Sequence, residues 1–195
     1  MNEIFKIIEK HNINGFEFPG GTDKSKEHSY DIFYNEYFEK YRNLQGTILE
    51  IGVFYGGSSL LWYDYLPQFK IVMADITNQV HPTIFEKMKE ERYDFLLMDS
   101  FTIQSIEILK EKYPEGFDII VEDGPHTLES QIFALREYSK LLKKGGILVI
   151  EDVQKFEYCE VLTSLKLDFD YESLKVVDLR EHKNRYDDLL IVLTK

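Results

Sequence analysis

The chain has 195 residues, enough for one domain whose core needs no disulfide or metal to hold it. It is 44% hydrophobic and 30% charged, which excludes a disordered or collagen-like chain. A net charge of −12 repels phosphate backbones and anionic lipid, so neither nucleic acid nor a membrane is an expected partner, and no apolar run nears the ~20 residues that span a bilayer.

The first ten residues, Met1 to Lys10, alternate acids and bases with apolar residues and carry no signal-peptide core. Residues 2–12 read as a short amphipathic helix with Ile4, Phe5, Ile7 and Ile8 to one side. A break follows at Pro19-Gly20-Gly21, then a second helix over 28–42, rich in Tyr and Phe. From residue 47 short apolar runs (47–51, 69–74, 94–98, 117–121, 146–150) alternate with helical stretches at about 58–66, 81–91, 101–112, 127–142 and 154–166. That alternation predicts a parallel sheet with helices on both faces, its Ile/Leu/Val-rich strands buried on both sides. Residues 172–179 and 188–194 have no helix between them and should pair antiparallel. Five parallel strands and a C-terminal hairpin match the seven-stranded, Rossmann-like sheet of class I S-adenosylmethionine (SAM) methyltransferases better than a plain dinucleotide fold. Residues 1–45 are then expected to form a helical lid or cap and 46–195 the SAM-binding domain. The lone cysteine, Cys159, cannot form an internal disulfide, which fits a reducing, cytoplasmic location.

Open α/β sheets bind ligands at the carboxyl ends of their strands. The first strand ends in Glu50-Ile51-Gly52, followed by Gly56-Gly57-Ser58. Glycine lets the backbone approach a ligand closely, and Ser58 opens a helix where it can cap or bond a bound carboxylate. The spacing is not GxGxxG, which weakens a nicotinamide reading. Asp75 ends the second strand and can accept from both hydroxyls of a ribose. Asp99 and Ser100, after the third, are placed to flank an adenine.

The fourth strand runs into Glu122-Asp123-Gly124-Pro125-His126 and the fifth into Glu151-Asp152. Neighbouring carboxylates repel one another and take up protons unless a cation neutralises them, and an all-oxygen set suits Mg²⁺ or another hard divalent cation. Asp123, Glu151 and Asp152 are the candidate ligands. Glu122 is expected on the opposite face, since side chains alternate. His126 is the candidate general base. The competing reading is that the acidic pairs and His126 cap the following helices.

In order, GTDKSKEHSY (21–30), LEIGVFYGGSSLLW (49–62), MADI (73–76), FDIIVEDGPH (117–126), LLKKGGILVIED (141–152) and DLLIVLTK (188–195) resemble the metal-dependent sugar O-methyltransferases of macrolide biosynthesis, over roughly residues 20–195. The resemblance implies SAM as donor, Mg²⁺ on Asp123, Glu151 and Asp152, His126 as base, Glu50, Gly52 and Ser58 as motif I, and Asp75 on the ribose. It also implies a sugar hydroxyl, of a surface glycan or a secondary metabolite, as acceptor. This chain departs from the family at Pro125 and at Ser130, where a second histidine is common.

Thr22, Asp23, Lys24, His28 and Tyr30 match a family motif and are expected in a mobile cover or in a helix packed on the sheet by its aromatic stripe. Fourteen Phe and 13 Tyr suit carbohydrate stacking or a homo-oligomer interface equally. The alternatives are a catechol-like or other vicinal-oxygen acceptor, a nicotinamide-dependent oxidoreductase, and a non-catalytic SAM-binding protein.

Overall fold

The structure, a computed structural model, describes residues 2–16 and 20–195. Pro19 of the expected break and Met1 lie outside the described residues. The chain opens with α1 (Glu3–His11), capped by Asn2, whose side chain accepts from the Phe5 amide at 2.8 Å. Ile4, Ile7 and Ile8 are its buried face. Helix α2 (Tyr30–Tyr37) and a 3₁₀ turn (Glu39–Tyr41) follow.

The sheet is built from β1 (Gly46–Ile51), β2 (Phe69–Asp75), β3 (Tyr93–Leu97), β4 (Phe117–Glu122), β5 (Leu142–Ile150), β6 (Ser173–Asp178) and β7 (Leu189–Thr194). Their order is β3-β2-β1-β4-β5-β7-β6. The first five are parallel, and β7 runs antiparallel between β5 and β6. The intervening helices are α3 (Gly57–Tyr65), α4 (Pro82–Lys87), α5 (Ile103–Lys112), α6 (Leu128–Glu137) and α7 (Phe156–Thr163), with a short α8 (Arg180–Lys183) before β7. Among the described residues no helix is long and apolar enough to cross a membrane.

Strand alternation sorts the core into two layers. Ile48, Ile71, Ile119, Val121, Ile147 and Val149 face one way, and Leu49, Val72, Ile120, Leu148 and Ile150 the other. The first layer is closed by α1, α2 and α3, where Tyr34 and Phe38 meet Trp62 with ring centroids 4.7 and 5.4 Å apart. The aromatic stripe thus packs onto the sheet layer, and one hydrophobic core runs across residue 45 without a break.

Two of the helix starts on the other side, those of α5 and α6, are capped by hydroxyls. Thr102 with Ser105, and Thr127 with Ser130, form reciprocal capping boxes. Neither acidic pair caps the helix after it. Thr127 does so for α6, and α7 begins at Lys155 with no side-chain cap.

Candidate functional site

A cavity of about 550 Å³ opens at the carboxyl edge of β1 to β4. Gly52, Ser58, Asp75, Asp99, Ser100, Asp123 and His126 all line it. Gly52 has φ +82° and lies against the turn after β4: a Cβ there would sit 1.8 Å from the carbonyl oxygen of Asp123. Only glycine lets these two loops meet so closely.

Asp75 holds the β1 loop. Its Oδ2 accepts from the amides of Val53 and Phe54 at 2.8 and 3.0 Å, and its Oδ1 from the amide and hydroxyl of Thr77. A ribose diol would therefore share or displace the Thr77 contacts. The Asp99 carboxylate accepts from the Phe101 amide, and the buried Ser100 hydroxyl has no partner among the described residues.

Glu50 differs from expectation. Alternation puts it on the face of Ile48, toward α3, where its fully buried carboxylate accepts from the Ser59 hydroxyl and from Trp62 Nε1 at 2.8 Å. It does not line the cavity; it ties β1 to α3.

Beyond Gly52 lies the acidic turn. Glu122, in the face of Ile120, is fully buried, has one oxygen unpartnered, and is pushed up to about 8 by burial and by Asp123. Asp123 faces the other way. His126 Nε2 lies 3.9 Å from Asp123 Oδ1 and 3.8 Å from Asp152 Oδ2, so these three side chains converge. Burial and Asp123 push Asp152 up to about 6. His126 and Asp152 both adopt left-handed backbone, φ +56° and +52°, as does Phe54 at +48°. Such conformations cost non-glycine residues on the order of 1 kcal/mol each and gather at functional sites.

Glu151 also departs from its expected role as an open ligand. Its carboxylate is sealed in the interior, where Lys24 Nζ donates at 2.6 Å and the Tyr34 hydroxyl takes the other oxygen. Lys24 also donates to Asp123 Oδ2 at 2.9 Å. Burial alone would lower Lys24, but Asp123 and Glu151 outweigh it and hold the ammonium well above its ordinary range. His28 forms a second hub: Nδ1 is 2.6 Å from Asp188 Oδ1, and Nε2 is 3.4 Å from Asp152 Oδ1. Tyr30 stacks on His28 and donates to Asp152 at 2.7 Å.

Sequence reasoning nominated Lys24, His28 and Tyr30 only as members of a motif, and missed Tyr34 and Asp188. The signal for Asp188 was available: Asp187-Asp188 stands at the start of a strand, as Glu151-Asp152 stands at the end of one.

For a divalent cation, then, Asp123 and Asp152 offer carboxylate oxygens that converge within 4.8 Å, with the His126 imidazole beside them. This set fits a cation, with Glu151 one layer behind it.

Residues 49–153 match the family model described as a methyltransferase domain. The chain belongs to this methyltransferase-domain family. Its similar relatives include the 8-demethyl-8-alpha-L-rhamnosyl tetracenomycin-C 2'-O-methyltransferase of Streptomyces olivaceus, 26% identical over 73% of this chain and 38% of that protein. The mycinamicin VI 2''-O-methyltransferase of Micromonospora griseorubida is 28% identical over 65% of this chain and 32% of that protein. This methyltransferase-domain chain thus spans well under half the length of the curated relatives it matches. Among solved structures, MycE methyltransferase in complex with Mg, SAH and mycinamycin VI covers 99% of this chain, which covers 54% of it, with a TM-score of 0.72 and 19% identity. The O-methyltransferase from Bacillus cereus in complex with SAH covers 99% of this chain, which covers 89% of it, with a TM-score of 0.63 and 13% identity. These two likenesses are of fold, the Rossmann-like methyltransferase sheet described above.

Proposed function

We propose that this domain transfers a methyl group from SAM to a hydroxyl of a small sugar-bearing acceptor. The observation that carries the reading is the charge of the cavity. Asp23, Asp75, Asp99 and Asp123 line it, and among the described residues no lysine or arginine does. A cationic sulfonium is at home among carboxylates, whereas the pyrophosphate of a nicotinamide cofactor is repelled. The acceptor class rests on the relatives, which are named for rhamnosyl and mycinamicin substrates.

In this reading the adenosine lies toward Asp75, Asp99 and Ser100, and the acceptor approaches over Pro125 and His126. His126 Nε2 takes the hydroxyl proton as the acceptor oxygen attacks the methyl carbon. The carbon–sulfur bond breaks with its electron pair on sulfur, leaving a neutral thioether. Asp123 and Asp152 would hold a divalent cation such as Mg²⁺, which lowers the pKa of a neighbouring hydroxyl and orients it. Lys24 and His28 fix the carboxylates that face the acceptor, so most of the acceleration comes from alignment.

The test is calorimetry with SAM, SAH and NAD, followed by mass-spectrometric detection of methyl transfer to simple deoxyhexosides, with and without EDTA. Binding of SAM and SAH but not NAD is expected, with transfer lost in His126→Ala while SAM binding survives. Binding of NAD without SAM would sink the reading.

A further inference from the structure

Residues 20–24 form a fixed wall of the cavity. Gly21 is pressed on the start of α3: a Cβ added to Gly57 would lie 2.3 Å from the carbonyl carbon and oxygen of Gly21. At the other end of the segment Lys24 is anchored on Asp123 and Glu151. Between these two pins stand Thr22 and Asp23, both lining the cavity together with Ser58.

The Thr22 main chain is fully used. Its N–H donates to the Ile13 carbonyl at 2.7 Å, and its carbonyl accepts from the Gly15 amide at 2.8 Å. The side chain is not: the residue is 4% exposed and its hydroxyl has no partner among the described residues. A buried hydroxyl without a partner costs on the order of 1–3 kcal/mol, so one at a cavity wall points to a ligand that satisfies it.

The position along the sheet says which part of the ligand. Thr22 and Asp23 sit by the loop of β1 and the end of β4, whereas Asp99 and Ser100 follow β3, two strands away from β1. At ~4.8 Å per strand that is roughly 10 Å, enough to separate the adenosine of a SAM molecule from its amino-acid end.

That end is a zwitterion and needs an anion for its ammonium and donors for its carboxylate. With no lysine or arginine among the described lining residues, the donors beside Asp23 at the start of α3 are hydroxyls and helix-start amides. We infer that Asp23 pairs with the α-ammonium of the donor and that the Thr22 hydroxyl, beside Ser58 at the start of α3, donates to its α-carboxylate. The inference rests on the SAM reading above and assigns part of the GTDK segment to donor recognition.

The experiment compares SAH with 5′-methylthioadenosine, which has the same adenosine and sulfur but no amino-acid end. Calorimetry is run on the wild type, Asp23→Asn, Thr22→Val and Thr22→Ser, at saturating Mg²⁺ and again in EDTA. Asp23→Asn and Thr22→Val are expected to weaken SAH by about tenfold or more. Their affinity for methylthioadenosine should stay within about twofold of wild type, which also reports an intact fold, and Thr22→Ser should keep both affinities. Equal weakening of both ligands, or of neither, would overturn the inference while leaving the SAM reading standing. A selectivity that vanishes in EDTA would also overturn it, because Asp23 would then act through a cation. A wild type that binds neither ligand would remove the SAM reading itself, and the inference with it.

Discussion

The ammonium of Lys24 lies 2.6 Å from Glu151 Oε2 and 2.9 Å from Asp123 Oδ2, on a side chain with no exposed surface. One cation from the N-terminal segment thus joins the ends of β4 and β5. Burial tends to raise Asp123, but Lys24 and His126 outweigh it and hold that carboxyl below its ordinary range. Asp123 is thereby kept ionised beside two other acids.

Removing that cation should be costly. Lys24→Met strips the ammonium from the sealed Glu151 carboxylate and from the part-buried Asp123, for which a loss of about 3–5 kcal/mol is expected. Urea unfolding measures it. Adding Glu151→Gln to the variant should recover part of the loss, because a neutral amide has less need of the ammonium. A double mutant as unstable as the single one would show that the lysine stem, not its charge, matters.

Metal affinity should separate the two acids of the β5 end. Asp123→Asn and Asp152→Asn are expected to weaken Mn²⁺ binding, read by electron paramagnetic resonance, on the order of tenfold or more. Glu151→Gln should change it by no more than about threefold, since both oxygens of Glu151 are already occupied by Lys24 and Tyr34. A loss in Glu151→Gln as large as in Asp152→Asn would place Glu151 among the ligands.

Two glycines with positive φ make a matched pair. At Gly52 a Cβ collides with the Asp123 carbonyl, whereas at Gly145, φ +79°, nothing lies within 4 Å. Gly145→Ala should cost about 1 kcal/mol, from backbone strain alone. Gly52→Ala should cost at least about 3 kcal/mol and abolish ligand binding, as the two loops are forced apart. Thermal melts with and without SAH distinguish them.

The acid limb of stability should depend on Asp64, which joins α1 to α3 through Lys10 at 2.6 Å and His11 at 2.9 Å. Burial tends to raise this carboxyl, but the hydrogen bonds from Lys10 and His11 outweigh it and hold it below 3.8. A carboxylate with a lowered folded pKa stabilises above the unfolded value and loses that contribution as pH falls through the folded one. Asp64→Asn should therefore lower stability at pH 6 and converge with the wild type near pH 2, as urea titrations at several pH values would show.

Much of this architecture was readable in the residues. Runs of Ile, Leu and Val marked β1, β2, β4 and β5 because both faces of these strands are buried, whereas the edge strand β3 is only part-buried and leaves Leu97 exposed. Boundaries were less legible. Strand β5 begins at Leu142, four residues before the apolar run, because its Lys143–Gly145 stretch, part-buried to exposed, carries no hydrophobic signal. Helix α4 stops at Lys87, where Met88 turns extended, although the polar pattern continued to residue 91. The stretch between residues 179 and 188, expected to hold no helix, contains the short α8 over Arg180–Lys183.

At the site, strand ends identified Gly52, Asp75, Asp99, Ser100, Asp123 and His126 as cavity residues. The alternation that turns Glu122 away from Asp123 also turns Glu50 and Glu151 toward α3 and α2. The Tyr34 and Asp188 contacts were invisible because their partners lie 117 and 160 residues away along the chain, and only the sheet order brings them together.

The His28–Asp188 pair carries a consequence for biogenesis. A ribosome releases the N-terminal turn long before it has made the strand that holds His28 in place. A nascent chain halted ahead of residue 188 would have every parallel strand in hand, with Lys24 able to meet Asp123 and Glu151, and still present an imidazole without its Asp188 partner. Fixing of the imidazole is thus the step that waits for β7.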